Sequence, residues 1–294
     1  MLPYSPEGRI CAPPTPEALH RGLGTGEIFQ ATCVKCDEFR NLHIDLGPIR
    51  GIIPREEAAL GISEGRIKDY AVLSRVGKTV SFQVIGFDSL GCAILSRRAA
   101  QSDARDYFLS TLRPGDVIPA VVLNPAEFGV FCDIGCGFSA LMRISRCCIS
   151  RLETTASHFR TGQNIYAAVL SIDDEAGQVQ LTGRELLGTW EENVSRFRPG
   201  QTVPGFVRSV MPYGVFVELA PNLSGLAEPA EGLEPGCAVS VYIRAVLPDK
   251  HKLKLNIIEV LSESPAPAAM DYAITSGHLD YWEYFPGSKA VTAF

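Results

Sequence analysis

Glu127-Phe128-Gly129-Val130-Phe131-Cys132-Asp133-Ile134-Gly135 returns further along the chain as Pro212-Tyr213-Gly214-Val215-Phe216-Val217-Glu218-Leu219. The flanking segments return in the same order. Arg113-Pro114-Gly115-Asp116-Val117 precedes the first copy and Thr161-Gly162-Gln163-Asn164-Ile165 follows it. Around the second copy stand Arg198-Pro199-Gly200-Gln201-Thr202-Val203 and Glu234-Pro235-Gly236-Cys237-Ala238-Val239. A looser copy comes earlier, through Gly26-Glu27-Ile28-Phe29, Asn41-Leu42-His43-Ile44-Asp45-Leu46-Gly47 and Gly77-Lys78-Thr79-Val80. One supersecondary unit is therefore used three times, and any function belongs first to that unit.

Inside the unit the apolar residues recur with period two or in brief runs rich in Val and Ile, as in Val117–Val122, Val130–Ile134 and Ile165–Ile172. That is strand chemistry. Pro114-Gly115, Gly135, Gly137, Thr161-Gly162 and Ala176-Gly177 fall between the runs, where turns need a preset or positive φ. Five short strands in roughly 70 residues, each able to hide only one face, escape exposed edges by closing on themselves. The expected fold is all-β: three tandem five-stranded OB-type barrels joined by short helical linkers. Ser145–Phe159 breaks the alternation and is the expected irregular connection between third and fourth strands.

The order G-x-x-V, F-G-x-F-x-D-x-G, I-S, G-Q, I-D, L in the middle repeat resembles the S1 RNA-binding domain, the repeat of ribosomal protein S1. The resemblance is strong in the middle repeat, good in the first half of the third, and divergent in the first. It implies the same OB barrel. It also implies that the two aromatic positions of F-G-x-F form much of an RNA platform, here Phe128 and Phe131, with Tyr213 and Phe216 in the third repeat. The family's third contact is a histidine, whose position holds Arg143 in the middle repeat, Glu228 in the third and Pro54 in the first. Lys252 falls where the family often carries a basic residue. The first repeat has Arg40 and His43 in place of the aromatics, and is expected to serve the fold or a protein partner.

Physical chemistry gives the platform a reason. A base offers a π-face whatever its identity, and a stacked base is worth about 1–3 kcal/mol. Phe128 and Phe131, three apart, would face opposite sides of a regular strand. A bulge at Gly129 is expected to reset the phase and bring both rings to one wall. Arg143 can stack on a base and pair with a phosphate.

Charge argues the other way. The net charge is −6, whereas proteins that track phosphates usually show a basic footprint. Lys and Arg number ten against nine acids over 26–99, six against eight over 112–188, and six against six over 198–260. Attraction must come from local clusters: Arg143, Arg146 and Arg151, or Lys250, Lys252 and Lys254.

The expected organisation is a Pro-rich leader with a short helix (1–25), barrels at 26–99, 112–188 and 198–260, helical linkers at 100–111 and 189–197, and a linker with an aromatic tail at 261–294. The linker helices read from Arg97 to Leu112 and from Arg184 to Phe197, each stopping before Pro-Gly. The tail is expected to dock as a β-hairpin, with Trp282 a further candidate for RNA contact. No run of about 18 or more apolar residues occurs, and Met1–Cys11 lacks a basic-then-apolar signal layout. Nine cysteines fit reduced thiols in a cytoplasm. Cys33-Val34-Lys35-Cys36 would send its thiols to opposite faces of a strand, so no metal is expected.

The five histidines are scattered and no phosphate-binding glycine loop is present, so neither catalysis nor a cofactor is expected. The expectation is a non-enzymatic, cytoplasmic RNA-binding protein, taking single-stranded RNA, mRNA or the ribosome as partner and no membrane. Two other outcomes stay open: a protein–protein adaptor with degenerate barrels, and an accessory that recruits RNA to a separate ribonuclease.

Overall fold

Why three barrels form is legible in the burial of alternate residues. On the strand Leu42–Leu46, Leu42, Ile44 and Leu46 are buried while His43 and Asp45 face outward, and the same alternation runs through Leu223–Ala227. The computed structural model describes residues 3–8, 12–262 and 270–294. Part of the leader (1, 2 and 9–11) and most of the linker Ser262–Ala269 lie outside the described residues.

After a short helix α1 (Pro16–Gly22), capped by the Thr15 side chain, the first barrel is β1 (Phe29–Cys36), β2 (Leu42–Leu46), β3 (Ile49–Ile53), β4 (Thr79–Phe87) and β5 (Ala93–Ser96). A one-turn helix α2 (Asp69–Leu73) lies between β3 and β4, and the longer α3 (Arg97–Thr111) follows. The second barrel is β6 (Val117–Ala126), β7 (Gly129–Gly135), β8 (Phe138–Arg143), β9 (Asn164–Asp173) and β10 (Gln178–Thr182). Helix α4 (Trp190–Val194) leads to the third: β11 (Thr202–Met211), β12 (Gly214–Ala220), β13 (Leu223–Ala227), β14 (Ala238–Leu247) and β15 (Lys252–Val260). All three close by the same circuit, first–second–third–fifth–fourth strand. The third and fifth strands run parallel in each. Closure removes the edges that five half-buried strands would otherwise expose.

The connection expected as one helix from Arg184 to Phe197 is broken. Gly188 takes φ +82°, Thr189 starts a new helix with a capping box to Glu192, and α4 is five residues long. A positive φ and a cap in mid-segment outweigh the apolar spacing. Two short strands, β16 (Tyr281–Glu283) and β17 (Val291–Ala293), form a final hairpin.

The described residues divide into two compact bodies, drawn from 1–112, 133–139 and 174–177, and from 113–132, 140–173 and 178–294. In the first, the buried Glu7 carboxylate accepts Arg97 Nε and Nη2, both at 2.8 Å, and the Ser81 N–H at 3.0 Å. In the second, the tail runs along the chain before it folds. Val117 N–H donates to the Gly277 carbonyl (3.0 Å) and Leu279 N–H to that of Gly115 (2.9 Å). Trp282 and Tyr284 then enter the third barrel's apolar cluster beside Trp190, Leu223 and Leu253. Among the described residues no helix is long and apolar enough to cross a membrane.

Candidate nucleic-acid interface

The hairpin joining the first two strands of each barrel positions the rings. In the second barrel Glu127 and Phe128 make a two-residue turn between β6 and β7. Phe128 sits in that turn, 58% exposed, and Phe131 is the half-buried third residue of β7. Their centroids lie 5.8 Å apart with planes at 88°. The third barrel repeats the arrangement. Met211 pairs with Gly214 across the turn Pro212-Tyr213, Tyr213 is 65% exposed, and its ring stands 6.3 Å from Phe216 at 89°.

In the third barrel no bulge at the glycine brings the rings together. Register between β11 and β12 is regular from Gly214 to Phe216, and its shift falls between Val207 and Ser209. The first ring of each pair lies in the turn, off the strand, so strand alternation does not govern it. The glycine has a different task. A Cβ on Gly129 would lie 2.5 Å from the Met142 carbonyl oxygen, and one on Gly214 2.5 Å from that of Ala227. Only glycine lets the third strand pass so close. That approach holds Arg143 beside the turn, where Ile144 N–H donates to the Phe128 carbonyl at 2.9 Å.

The arginine cluster divides. Arg143, the last residue of β8, and Arg151 are exposed, and among the described residues no carboxylate lies within ion-pair distance of either. Arg146 is committed to the fold, with Nη1 3.3 Å from Thr292 Oγ1 and 4.0 Å from Glu185. Trp282 is likewise committed. It is 7% exposed with the Arg184 guanidinium 5.9 Å from its ring, which removes it from the RNA candidates.

In the third barrel, Glu228 is exposed and pairs with Arg244 at 3.0 Å, so its repulsion toward a phosphate is offset. Lys252 is exposed at the head of β15, opposite Leu247. Lys254, named from the sequence only within a cluster, stands in line with the ring pair: Phe216 pairs with Leu226, and Leu226 with Lys254. In the first barrel the equivalent turn is longer, Asp37–Asn41, with Arg40 at φ +68°. His43 is bonded to Asp37 at 3.2 Å. The ring that stands free there is Phe39, 71% exposed. Matching positions through an ungapped motif passed over it; the extra loop length was the available signal.

No family model matches the chain. A curated relative, the small ribosomal subunit protein bS1 homolog of Bacillus subtilis (strain 168), is 30% identical over 273 residues, 87% of this chain and 69% of that protein. The chain belongs to the ribosomal protein bS1 family. This bS1-family member is an S1-type RNA-binding protein. The bS1 protein of Staphylococcus aureus (strain COL) is 30% identical over 256 residues, 81% of this chain and 63% of its own length. The bS1-type chain thus spans about two thirds of these relatives. A solved multidomain protein with nucleic acid binding domains from Streptococcus pneumoniae TIGR4 aligns over 81% of this chain and 75% of its own, at 16% identity and a TM-score of 0.28.

Proposed function

We propose that the protein binds single-stranded RNA by stacking bases on the paired rings of its second and third barrels, as a binder with no catalytic step. The observation that carries this is the perpendicular pair Phe128–Phe131, accessible on the barrel wall with the uncommitted Arg143 beside it. Ring faces recognise bases in general, so sequence preference is weak. Each phosphate contact adds salt dependence, and a chain of net charge −6 has few such contacts to give. Two modest sites on one chain then act together, the second engaging at high effective concentration. Translation in the cytoplasm is the setting, with mRNA at the small ribosomal subunit as the partner to test first. Neither metal nor cofactor is called on.

Titration of a fluorescent single-stranded RNA at two salt concentrations, with duplex RNA as competitor, tests this. Binding is expected in the micromolar range, weaker at high salt and little affected by duplex. Phe131→Ala should cost about 1–3 kcal/mol, roughly 5- to 150-fold, and Arg143→Glu should weaken binding and flatten the salt dependence. Absence of saturable binding by the wild type at low salt would overturn the RNA reading in favour of a protein adaptor. Wild-type affinity in both variants would move the site off the second barrel.

A further inference from the structure

A cleft of about 340 Å³ opens in the second body beside the third barrel's platform. Arg151, from the segment joining β8 to β9, and Phe216, from the third barrel, both line it, with Trp190 and Tyr284. Its shape is held in place. Ile149 N–H donates to Asn222 Oδ1 at 3.0 Å, Ser150 N–H to the Pro221 carbonyl at 3.0 Å, and the Ser150 and Ser224 hydroxyls meet at 2.8 Å. These bonds fix the backbone immediately before Arg151 against the third barrel.

Of the three basic side chains lining the cleft, two are already engaged. Arg208 grips Glu218 through two bonds of 2.8 and 3.0 Å. His251 stacks on Phe285 at 4.0 Å and meets Glu191 at 3.1 Å. Among the described residues Arg151 alone of the three brings an uncompensated charge, and one phosphodiester carries one opposite charge. The volume sits at the low end of ligand clefts, about 300–1,000 Å³, a size that suits a single nucleotide.

We propose that this cleft is a subsite for a single nucleotide of the bound strand, its base against Phe216 and its phosphate at Arg151. The proposal rests on the RNA-binding reading and gives the strand a foothold shared by the segment after β8 and the third barrel. The backbone before Arg151 is fixed before RNA arrives, so the ordering that accompanies occupancy falls on the exposed Arg151 side chain.

The test uses the full chain and a labelled oligouridylate of about 12 nucleotides, within the site sizes of roughly 4–16 per barrel. Arg151→Ala should weaken binding roughly 3- to 10-fold and lower the salt slope by about 0.7, the value for one phosphate contact on a single strand. Arg151→Glu should weaken it further. Arg160→Ala, removing an exposed arginine of the same body that does not line the cleft, should change neither quantity. Wild-type binding by both Arg151 variants, with Phe131→Ala still impaired, would overturn the cleft and leave the RNA reading standing. An equal loss in Arg160→Ala would also overturn it, by reducing Arg151 to general charge. If wild type fails to bind at low salt, the RNA reading itself fails and takes the cleft with it.

Discussion

Replacing Trp282 by alanine is expected to destabilise the second body by about 3–5 kcal/mol, the usual cost of emptying a buried aromatic site. The indole is 7% exposed and belongs to a cluster with Trp190, Val217, Leu223 and Leu253. A hairpin of two three-residue strands has no stability of its own, so docking must come from what it buries and bonds. The Tyr284 carbonyl accepts the Trp190 N–H at 2.9 Å, and the Tyr284 hydroxyl donates to the Asn222 carbonyl. Thr292 Oγ1 donates at 2.5 Å to the buried Glu185, and Arg184 reaches Thr292 and the Val291 carbonyl at 2.9 and 3.0 Å. Loss of the indole empties the centre of this arrangement. Calorimetry should show the transition of the second body fall by roughly 10 °C. A loss under about 1 kcal/mol would mean that the hairpin rests on the barrel without contributing to it.

The repeat, the five-strand unit and the neighbouring rings of Phe128 and Phe131 were legible because they depend on local pattern: period-two burial, turn glycines and aromatic spacing; that Gly129 serves a close approach of the third strand was not. The reason that Phe128 and Phe131 share a wall was not legible. A bulge and a two-residue turn place the same letters in the same order, and only the three-dimensional structure, with Phe128 in the turn and Phe131 on β7, separates them. Arg143 and Arg146 look alike as neighbours in sequence, but Arg146 is withdrawn by Thr292, 146 residues away. Trp282 is withdrawn in the same way by packing distant in sequence. Phe39 was missed for the opposite reason, since a longer turn shifts its ring off the aligned column. Long-range partners and loop length decide which of several similar side chains face solvent, and neither is encoded in the motif.

Breaking the pair Arg208–Glu218 from one side is the other large effect expected, and it bears on the cleft. Arg208, Glu218 and His158 are all buried, with His158 Nε2 2.7 Å from Glu218 Oε1. Burial pushes the Glu218 carboxyl up, but the hydrogen bonds from His158 and Arg208, with their charge, outweigh it and hold the group below the usual carboxylate range. A carboxylate held low in the folded state favours folding above its unfolded value near 4.3. That stability is lost as the pH falls through the folded value. Glu218→Gln should therefore shrink the acid limb of the stability–pH curve of the second body. Arg208→Met leaves a buried carboxylate with His158 as its remaining partner and should cost about 3–5 kcal/mol in urea unfolding. Arg208→Met with Glu218→Leu should recover part of that, because the uncompensated carboxylate is gone while buried His158 loses its partner. Costs that simply add would show that the two side chains do not act as a pair. The double variant also separates the two arginines of the cleft. If Arg151 holds the phosphate, RNA affinity survives the loss of Arg208; if Arg208 holds it, affinity falls although the fold is restored.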